Sequence, residues 1–288
     1  MVTPFDADGR VDEEAAVRLM RHLVDNGSDG LVLAGTTGEG STLDDAEKLR
    51  LWQLAIDELG GGDTTLIAGT GSNDTAHTVH LTEQATELGM HAMLIVTPYY
   101  NKPNARGIRA HFEAAASATD RPIIVYNIPS RCVVDITNDQ LRELAQIDNV
   151  SAVKQARFED VEPIDGMDLL AGNDDMLARI MDMGGTGGIL VASHLFGNEM
   201  KRIVEEPDAR AEIDANLRDA YAAMGVTTNP IPVKTALALL DLVPGHFRLP
   251  MVPASPEEEA EVRSMLERHG LLRGSKPLHP ATTEQSTR

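Results

Sequence analysis

Ala92-Met93-Leu94-Ile95-Val96-Thr97-Pro98-Tyr99-Tyr100 and Pro122-Ile123-Ile124-Val125-Tyr126-Asn127-Ile128-Pro129 are two short, nearly unbroken apolar runs that close on polar or turn-forming residues. Little alternation along such a run means that both faces are covered, the condition of a strand inside a parallel sheet. The pattern recurs at Gly30–Ala34, Thr65–Gly71, Val150–Ala156, Asp168–Asn173 and Gly187–His194. Stretches of helical period separate the runs, with Val17, Met20, Leu23 and Val24, then Leu49, Trp52, Leu54 and Ile56, then Val79, Leu81, Ala85 and Leu88 on apolar faces. The order reads as repeated βα units of the α/β class. Periodicity alone leaves a closed barrel and an open doubly wound sheet both available. An eighth strand would close a barrel if Val2 and Thr3 are the tail of a first strand that is truncated. A start in mid-strand would leave backbone groups unpaired, so the expectation is an upstream start or a weak seam.

Beyond His194 the pattern turns to helices alone, at Leu195–Glu205, Ala209–Ala223, Ile231–Leu240 and Glu257–Arg268, with proline-rich joints at Asn229–Pro232 and Pro250–Pro256. The expected organisation is a barrel over residues 1–195, a C-terminal helical layer over 196–269 and a flexible polar tail over 270–288. Hydrophobic residues make up 42% and charged residues 24% of the 288, which excludes a disordered chain. The formal charge of −20 would be repelled by phosphate backbones and anionic lipid, so neither nucleic acid nor a membrane is an expected partner. A single cysteine, Cys132, allows no internal disulfide and suits a reducing cytoplasm. Neither a signal peptide nor a spanning segment is read in the sequence.

Several polar side chains fall at the ends of different strands, where a parallel barrel builds its site. Of the six lysines only Lys154 lies inside an apolar run, Val150–Ala156. Desolvation lowers the pKa of a buried ammonium and leaves free amine able to attack a carbonyl, the requirement of a Schiff-base nucleophile. A lysine snorkelling from the strand end or paired with a carboxylate is the equally weighted structural reading. Tyr99, Tyr100 and Tyr126 sit at or near strand ends, as core phenols or as site residues. Gly35-Thr36-Thr37-Gly38-Glu39-Gly40 offers backbone N–H groups and two hydroxyls to a small anion such as a carboxylate, or forms an ordinary tight loop; it lacks the Walker and dinucleotide orders. Arg131 could clamp a carboxylate or make a surface ion pair. The Gly184–Gly188 cluster precedes its strand and reads as a turn. His77 and His80 lack a third ligand nearby and read as solvated surface, and Cys132 reads as a packing residue. No metal site is expected.

Val2-Thr3-Pro4-Phe5, Gly35-Thr36-Thr37-Gly38-Glu39, Pro98-Tyr99-Tyr100-Asn101-Lys102-Pro103, Tyr126-Asn127-Ile128-Pro129-Ser130-Arg131, Lys154 and Asn229-Pro230-Ile231-Pro232-Val233-Lys234 together resemble, in order and spacing, the dihydrodipicolinate synthase family of pyruvate-dependent class I aldolases and lyases. The resemblance runs from Val2 to about Leu266 and implies a (β/α)8 TIM barrel with a C-terminal helical layer, usually as a homotetramer. It implies that Lys154 forms the imine with pyruvate, that Tyr126 shuttles protons, and that Thr36 and Tyr100 complete the relay, Tyr100 reaching across a subunit interface. It further implies that Thr37 holds the pyruvate carboxylate, that Arg131 clamps L-aspartate 4-semialdehyde, and that the backbone of Gly172 and Ile189 lies against Lys154 and pyruvate. No cofactor is implied beyond pyruvate as substrate.

Three departures from the family pattern stand out. Cys132-Val133 follow Arg131 where the family usually has Thr-Gly, and a β-branched residue there resists positive φ and is expected to crowd the aldehyde pocket. Gln155 replaces the usual glutamate, removing a charge near Lys154. Lysine-inhibited members generally have histidine at the positions of Asp45 and Lys48 and glutamate at that of His77, so inhibition by L-lysine is expected to be weak or absent. Two other functions compete with the synthase: a lyase or dehydratase acting on a 2-keto sugar acid, as in N-acetylneuraminate lyase, and a catalytically dead keto-acid sensor. The paired Thr36-Thr37 and Tyr99-Tyr100 favour the synthase, and the intact catalytic set weighs against the sensor.

Overall fold

The structure, a computed structural model, describes residues 1–272. Seven strands, β1 (Gly30–Leu33), β2 (Thr65–Gly69), β3 (Ala92–Val96), β4 (Ile123–Asn127), β5 (Val150–Gln155), β6 (Asp168–Ala171) and β7 (Gly187–Gly188), form one sheet among the described residues. Each pairs in parallel with the next, so strand order in space follows strand order in sequence. Sequential parallel pairing requires a crossover between neighbours. Helices α1 (Glu13–Asp25), α2 (Asp45–Leu59), α3 (Thr75–Leu88), α4 (Ala105–Ala116), the short α5 (Pro129–Cys132), α6 (Asn138–Leu144) and α7 (Leu177–Asp182) lie before or between the strands.

The apolar runs bury both faces, as their lack of alternation requires. Outward-facing Leu33, Leu66, Met93, Val125 and Val153 join helix residues such as Leu19, Trp52, Leu81 and Phe112 in the main core. Ile67, Leu94, Ile124, Tyr126 and Ala152 form a second, smaller cluster on the inner face of the curled sheet. Reciprocal capping boxes start α2 at Asp44 with Glu47 and α6 at Thr137 with Gln140.

Helices α8 (Ser193–Glu205), α9 (Arg210–Asn216), α10 (Arg218–Met224), α11 (Ile231–Leu239) and α12 (Pro256–Arg268) follow the sheet. Two expectations need correction. The run Gly187–His194 is a strand only at Gly187–Gly188, because the Asp174 carboxylate accepts the backbone N–H groups of Val191 and Ala192 at 2.8 and 3.1 Å and draws the chain out of the ladder. The helix expected over Ala209–Ala223 is two helices, parted at Leu217, whose φ of −99° and ψ of 0° leave the regular helical values.

Residues 1–4 form no ladder. The Met1 amino group donates to the Val32 carbonyl at 2.6 Å, and the Val2 N–H donates to His194 Nε2 at 3.2 Å. A cavity of about 310 Å³ lies between β1 and β7, bordered by Met1, Leu31, Val32, Gly188 and His194. The polar tail expected from residue 270 lies outside the described residues from 273 on.

Candidate active site

Lys154 sits one residue from the end of β5, in register with Tyr126 on β4 and Leu170 on β6. Successive strand residues face opposite ways. Lys154 points with Tyr126 to the inner face, where its Nζ stands 4.0 Å from the centroid of the Tyr126 ring. Gln155 accordingly turns away: its Oε1 accepts from Asn127 Nδ2 at 3.1 Å and from the Arg157 N–H at 3.2 Å. The missing carboxylate at position 155 is thus on the other side of the strand from the amine.

The Lys154 side chain is 9% exposed. Burial lowers its ammonium to about 7, with the Asp174 carboxylate opposing that shift and the Arg131 guanidinium adding to it. An amine at that value is free in about half the molecules at neutral pH. Burial pushes the Tyr126 phenol up to about 12, against the opposite pull of Arg131 and of the Thr36 side chain as hydrogen-bond partner. Tyr126 therefore keeps its proton near neutrality and can donate it.

The Gly35–Gly40 loop follows β1 and curls back on itself, with the N–H groups of Gly38 and Gly40 both donating to the Gly35 carbonyl at 3.1 Å. A side chain at Gly40 would put Cβ 2.0 Å from the Ala34 carbonyl oxygen, so only glycine fits the curl. Glu39, at φ +52°, turns into the protein and meets Lys234 Nζ at 2.5 Å. Thr37 Oγ1 accepts from Asn229 Nδ2 at 2.9 Å, and the Asn229 carbonyl accepts from Arg131 Nη2 at 3.3 Å. Asn229 thereby links the two groups expected to hold carboxylates, while its own Oδ1 is buried with no hydrogen-bond partner among the described residues.

Thr36, Tyr99, Tyr126, Arg131, Cys132 and Asn229 line one cavity of about 440 Å³, whose lining also includes Asp45, Lys48 and His77. The Cys132 thiol is buried and pushed up to about 11, hence protonated. Val133, by contrast, takes φ +65° in spite of its branched side chain and stands 67% exposed. Cys132 and not Val133 borders the cavity, so the crowding expected of the valine is absent.

Gly172 donates its N–H to the Gln155 carbonyl at 2.8 Å, and a Cβ there would come within 2.9 Å of the Ala156 Cβ. Ile189 donates to the Ala171 carbonyl at 2.9 Å and borders the inner cluster that holds Tyr126. Tyr100 is not with the others: at φ +73° it projects from the protein, 88% exposed, and Tyr99 borders the cavity in its place. His77 Nε2 meets both oxygens of Asp45, at 2.9 and 3.1 Å, while His80 is exposed.

Sequence reasoning assigned no role to Asn229, to the Glu39–Lys234 pair or to Asp174. Asn229 and Lys234 stood in a quoted motif, and Asp174 follows a strand end by three residues, which was the available signal.

A parallel βα protein with a desolvated lysine at a strand end, against a protonated phenol that borders a cavity with Thr36 and Arg131, is equipped for imine chemistry on an oxo acid. Residues 1–269 match the model of the Dihydrodipicolinate synthetase family, and the chain belongs to that family. It is 40% identical over 285 residues to the 4-hydroxy-tetrahydrodipicolinate synthase of Moorella thermoacetica, an alignment that covers 94% of this chain and 97% of that one. Among solved structures it resembles dihydrodipicolinate synthase from Cyanidioschyzon merolae with lysine bound, at 36% identity and a TM-score of 0.90 over 94% of this chain and 97% of that one. It also resembles the chloride-inhibited dihydrodipicolinate synthase from Acinetobacter baumannii complexed with pyruvate, at 32% identity and a TM-score of 0.91 over 94% and 97% of the two chains.

Proposed function

We propose that this chain condenses pyruvate with L-aspartate 4-semialdehyde to give 4-hydroxy-tetrahydrodipicolinate, a step toward diaminopimelate and lysine. One observation carries the reading: a lysine lowered to about 7 by burial lies 4.0 Å from the ring of a tyrosine that borders a 440 Å³ cavity with Thr36 and Arg131. The free amine of Lys154 adds to the keto carbon of pyruvate, and loss of water leaves a cationic imine. The cation acidifies the methyl group, which gives up a proton to form the enamine. The enamine carbon attacks the aldehyde, forming the carbon–carbon bond. The aspartyl amine then attacks the imine carbon, closes the ring and releases Lys154.

Tyr126, protonated at neutral pH, and Thr36 beside it exchange the protons of these steps. Thr37 and the backbone of the Gly35–Gly40 loop receive the pyruvate carboxylate, with Gly172 and Ile189 as the backbone wall, and Arg131 receives the carboxylate of the semialdehyde. Tyr100 fits the same reading as a relay member only through a second subunit, since it projects outward. The working form is therefore an oligomer, a homotetramer on the family resemblance, in which Tyr100 enters a neighbour's site. Substrates of this kind and a lone thiol suit the cytoplasm; among the described residues no helix is long and apolar enough to cross a membrane.

Borohydride reduction in the presence of pyruvate, followed by peptide mass mapping, tests the reading. The expected result is a reduced pyruvate adduct on Lys154 and product formation with aspartate semialdehyde. An unmodified Lys154 refutes the imine chemistry. An adduct without turnover of the semialdehyde refutes the second substrate and favours a 2-keto sugar acid.

A further inference from the structure

Asn229 is a side chain that the steps above do not use. It lies in the turn that leads into α11, closed by the bond from the Ile231 N–H to the Thr228 carbonyl at 3.0 Å. Three residues into α11 comes Lys234, which holds Glu39. The later chain therefore grips the Gly35–Gly40 loop at two points, Glu39 and Thr37. At the second, the Asn229 Nδ2 donates to Thr37 Oγ1 at 2.9 Å. A hydroxyl has one proton to give and lone pairs to receive with. Asn229 takes a lone pair, and among the described residues the Thr37 O–H proton meets no acceptor. The curl itself is closed by the N–H groups of Gly38, Glu39 and Gly40, and those of Thr36 and Thr37 take no part in it.

Toward Arg131 the same residue acts through its backbone. The Asn229 carbonyl accepts from Arg131 Nη2 at 3.3 Å, a bond that any residue at this position can receive. Asn229, Thr36, Tyr126 and Arg131 border one cavity, so the linkage lies at the site and not behind it. The amide carries a cost, because its Oδ1 is buried with no hydrogen-bond partner among the described residues. A leucine of nearly the same shape would escape that cost. What the amide supplies and a leucine does not is the donor to Thr37.

We propose that Asn229 is a positioning residue for pyruvate: its amide N–H engages the Thr37 hydroxyl as an acceptor, which leaves the O–H proton to the pyruvate carboxylate. The proposal rests on the reading above, in which Thr37 and the Gly35–Gly40 loop receive that carboxylate. An ionised carboxylate is acceptor-only and needs donors around it. The N–H groups left over in the curl keep a direction set by the backbone, whereas a hydroxyl rotates; Asn229 removes that freedom. Asn229→Asp inverts the arrangement. A carboxylate in place of the amide donates nothing, so the Thr37 hydroxyl turns to donate to it and is lost to pyruvate. The backbone bond to Arg131 is kept, and hydroxyl direction and loop linkage are consequently separable.

The experiment uses the full chain. Borohydride-trapped adduct on Lys154 is measured against pyruvate concentration with no second substrate present, and turnover against semialdehyde concentration at saturating pyruvate, with thermal unfolding alongside. Asn229→Asp is expected to raise the half-saturating pyruvate concentration about tenfold or more, the low end of what a hydrogen bond to a charged group contributes. The half-saturating semialdehyde concentration is expected to stay in place. Asn229→Ala frees the hydroxyl without offering it an acceptor, so its effect on pyruvate should be smaller than that of the aspartate. In a Thr37→Val background, with no hydroxyl to turn, Asn229→Asp should change the pyruvate dependence far less than in the parent. A folded Asn229→Asp variant with the parent's pyruvate dependence overturns the proposal, as does an alanine effect as large as the aspartate's, an undiminished effect in the Thr37→Val background, or an equal loss of both substrates. Should the aspartate variant fail to fold, Asn229→Ala decides by the same comparison, and an equal effect with and without the Thr37 hydroxyl overturns the proposal. A Thr37→Val variant that takes up pyruvate as the parent does refutes the assignment of the carboxylate to Thr37, and the proposal with it. Failure of the parent to trap pyruvate at all refutes the imine reading itself.

Discussion

Replacing Lys234 by methionine perturbs the site without touching it. Lys234 is fully buried on α11, its Nζ 2.5 Å from Glu39 Oε1 and 2.8 Å from the His246 carbonyl, with the rings of Phe5 and Phe247 at 4.3 and 4.8 Å. Glu39 is 3% exposed, and its Oε2 accepts from the Arg248 N–H at 3.2 Å. Burial still lowers the lysine to about 8 in spite of the paired carboxylate, so desolvation outweighs attraction and the pair as a whole adds no net stability. Removing one partner is another matter. Lys234→Met strands the Glu39 carboxylate in a dry site, which costs about 3–5 kcal/mol of a total of about 5–15 kcal/mol. At about 2–4 °C per kcal/mol, the melting temperature should fall by about 6–20 °C. Glu39 carries the strained turn next to Thr36 and Thr37, so turnover should fall as well. Adding Glu39→Gln removes the stranded charge and should recover more than half of the lost stability. Differential scanning calorimetry of the two single variants and the double variant closes the cycle. If Lys234→Met melts within 2 °C of the parent (below the ~6 °C floor above), or if the two losses simply add, the pair is not the tie described.

Four further outcomes follow from the same geometry. With Lys154 lowered to about 7, the rate of pyruvate trapping should climb about tenfold between pH 6 and pH 8 and then level off, and Lys154→Arg should abolish it; a flat profile would contradict a desolvated amine. Tyr126→Phe keeps the ring against Lys154 and removes only the phenolic proton, so trapping should survive while steady-state turnover drops about 10²–10⁴-fold. Val133→Gly releases a branched side chain from φ +65°, worth about 1–2 kcal/mol less about 0.5–1 kcal/mol for the freer unfolded chain; the variant should melt higher, and a lower melting temperature would refute the strain. L-lysine at millimolar concentration should inhibit weakly or not at all, because the Asp45 carboxylate is already paired with His77 at 2.9 Å and Lys48 at 3.9 Å, with which an incoming ammonium would have to compete; strong inhibition in a steady-state assay would overturn this.

The sheet was legible because strands covered on both faces carry an unbroken apolar run, and all seven runs contain a strand at their start. Their ends were less legible. Tyr126 and Lys154 were visible as polar residues closing or interrupting such runs. Sequence could not show that strand alternation sends Gln155 away from the amine, although it needs only the register of Lys154 to follow. The early end of β7 could not be read because it is imposed by a carboxylate some 17 residues earlier, through the bonds of Asp174 to Val191 and Ala192. Val133 was misjudged for a related reason. Its branched side chain was expected to resist positive φ and press on the pocket, whereas the C-cap of α5 fixes that φ and turns the side chain to solvent. Local rules state what a conformation costs; only the surrounding contacts decide whether it is adopted. The same limit hides Glu39 with Lys234, 195 residues apart in sequence, and Thr37 with Asn229, separated by 192. Both pairs join the loop after β1 to the chain that follows the sheet, so that later segment anchors the Gly35–Gly40 loop. That is why a substitution as remote as Lys234→Met is expected to register in turnover.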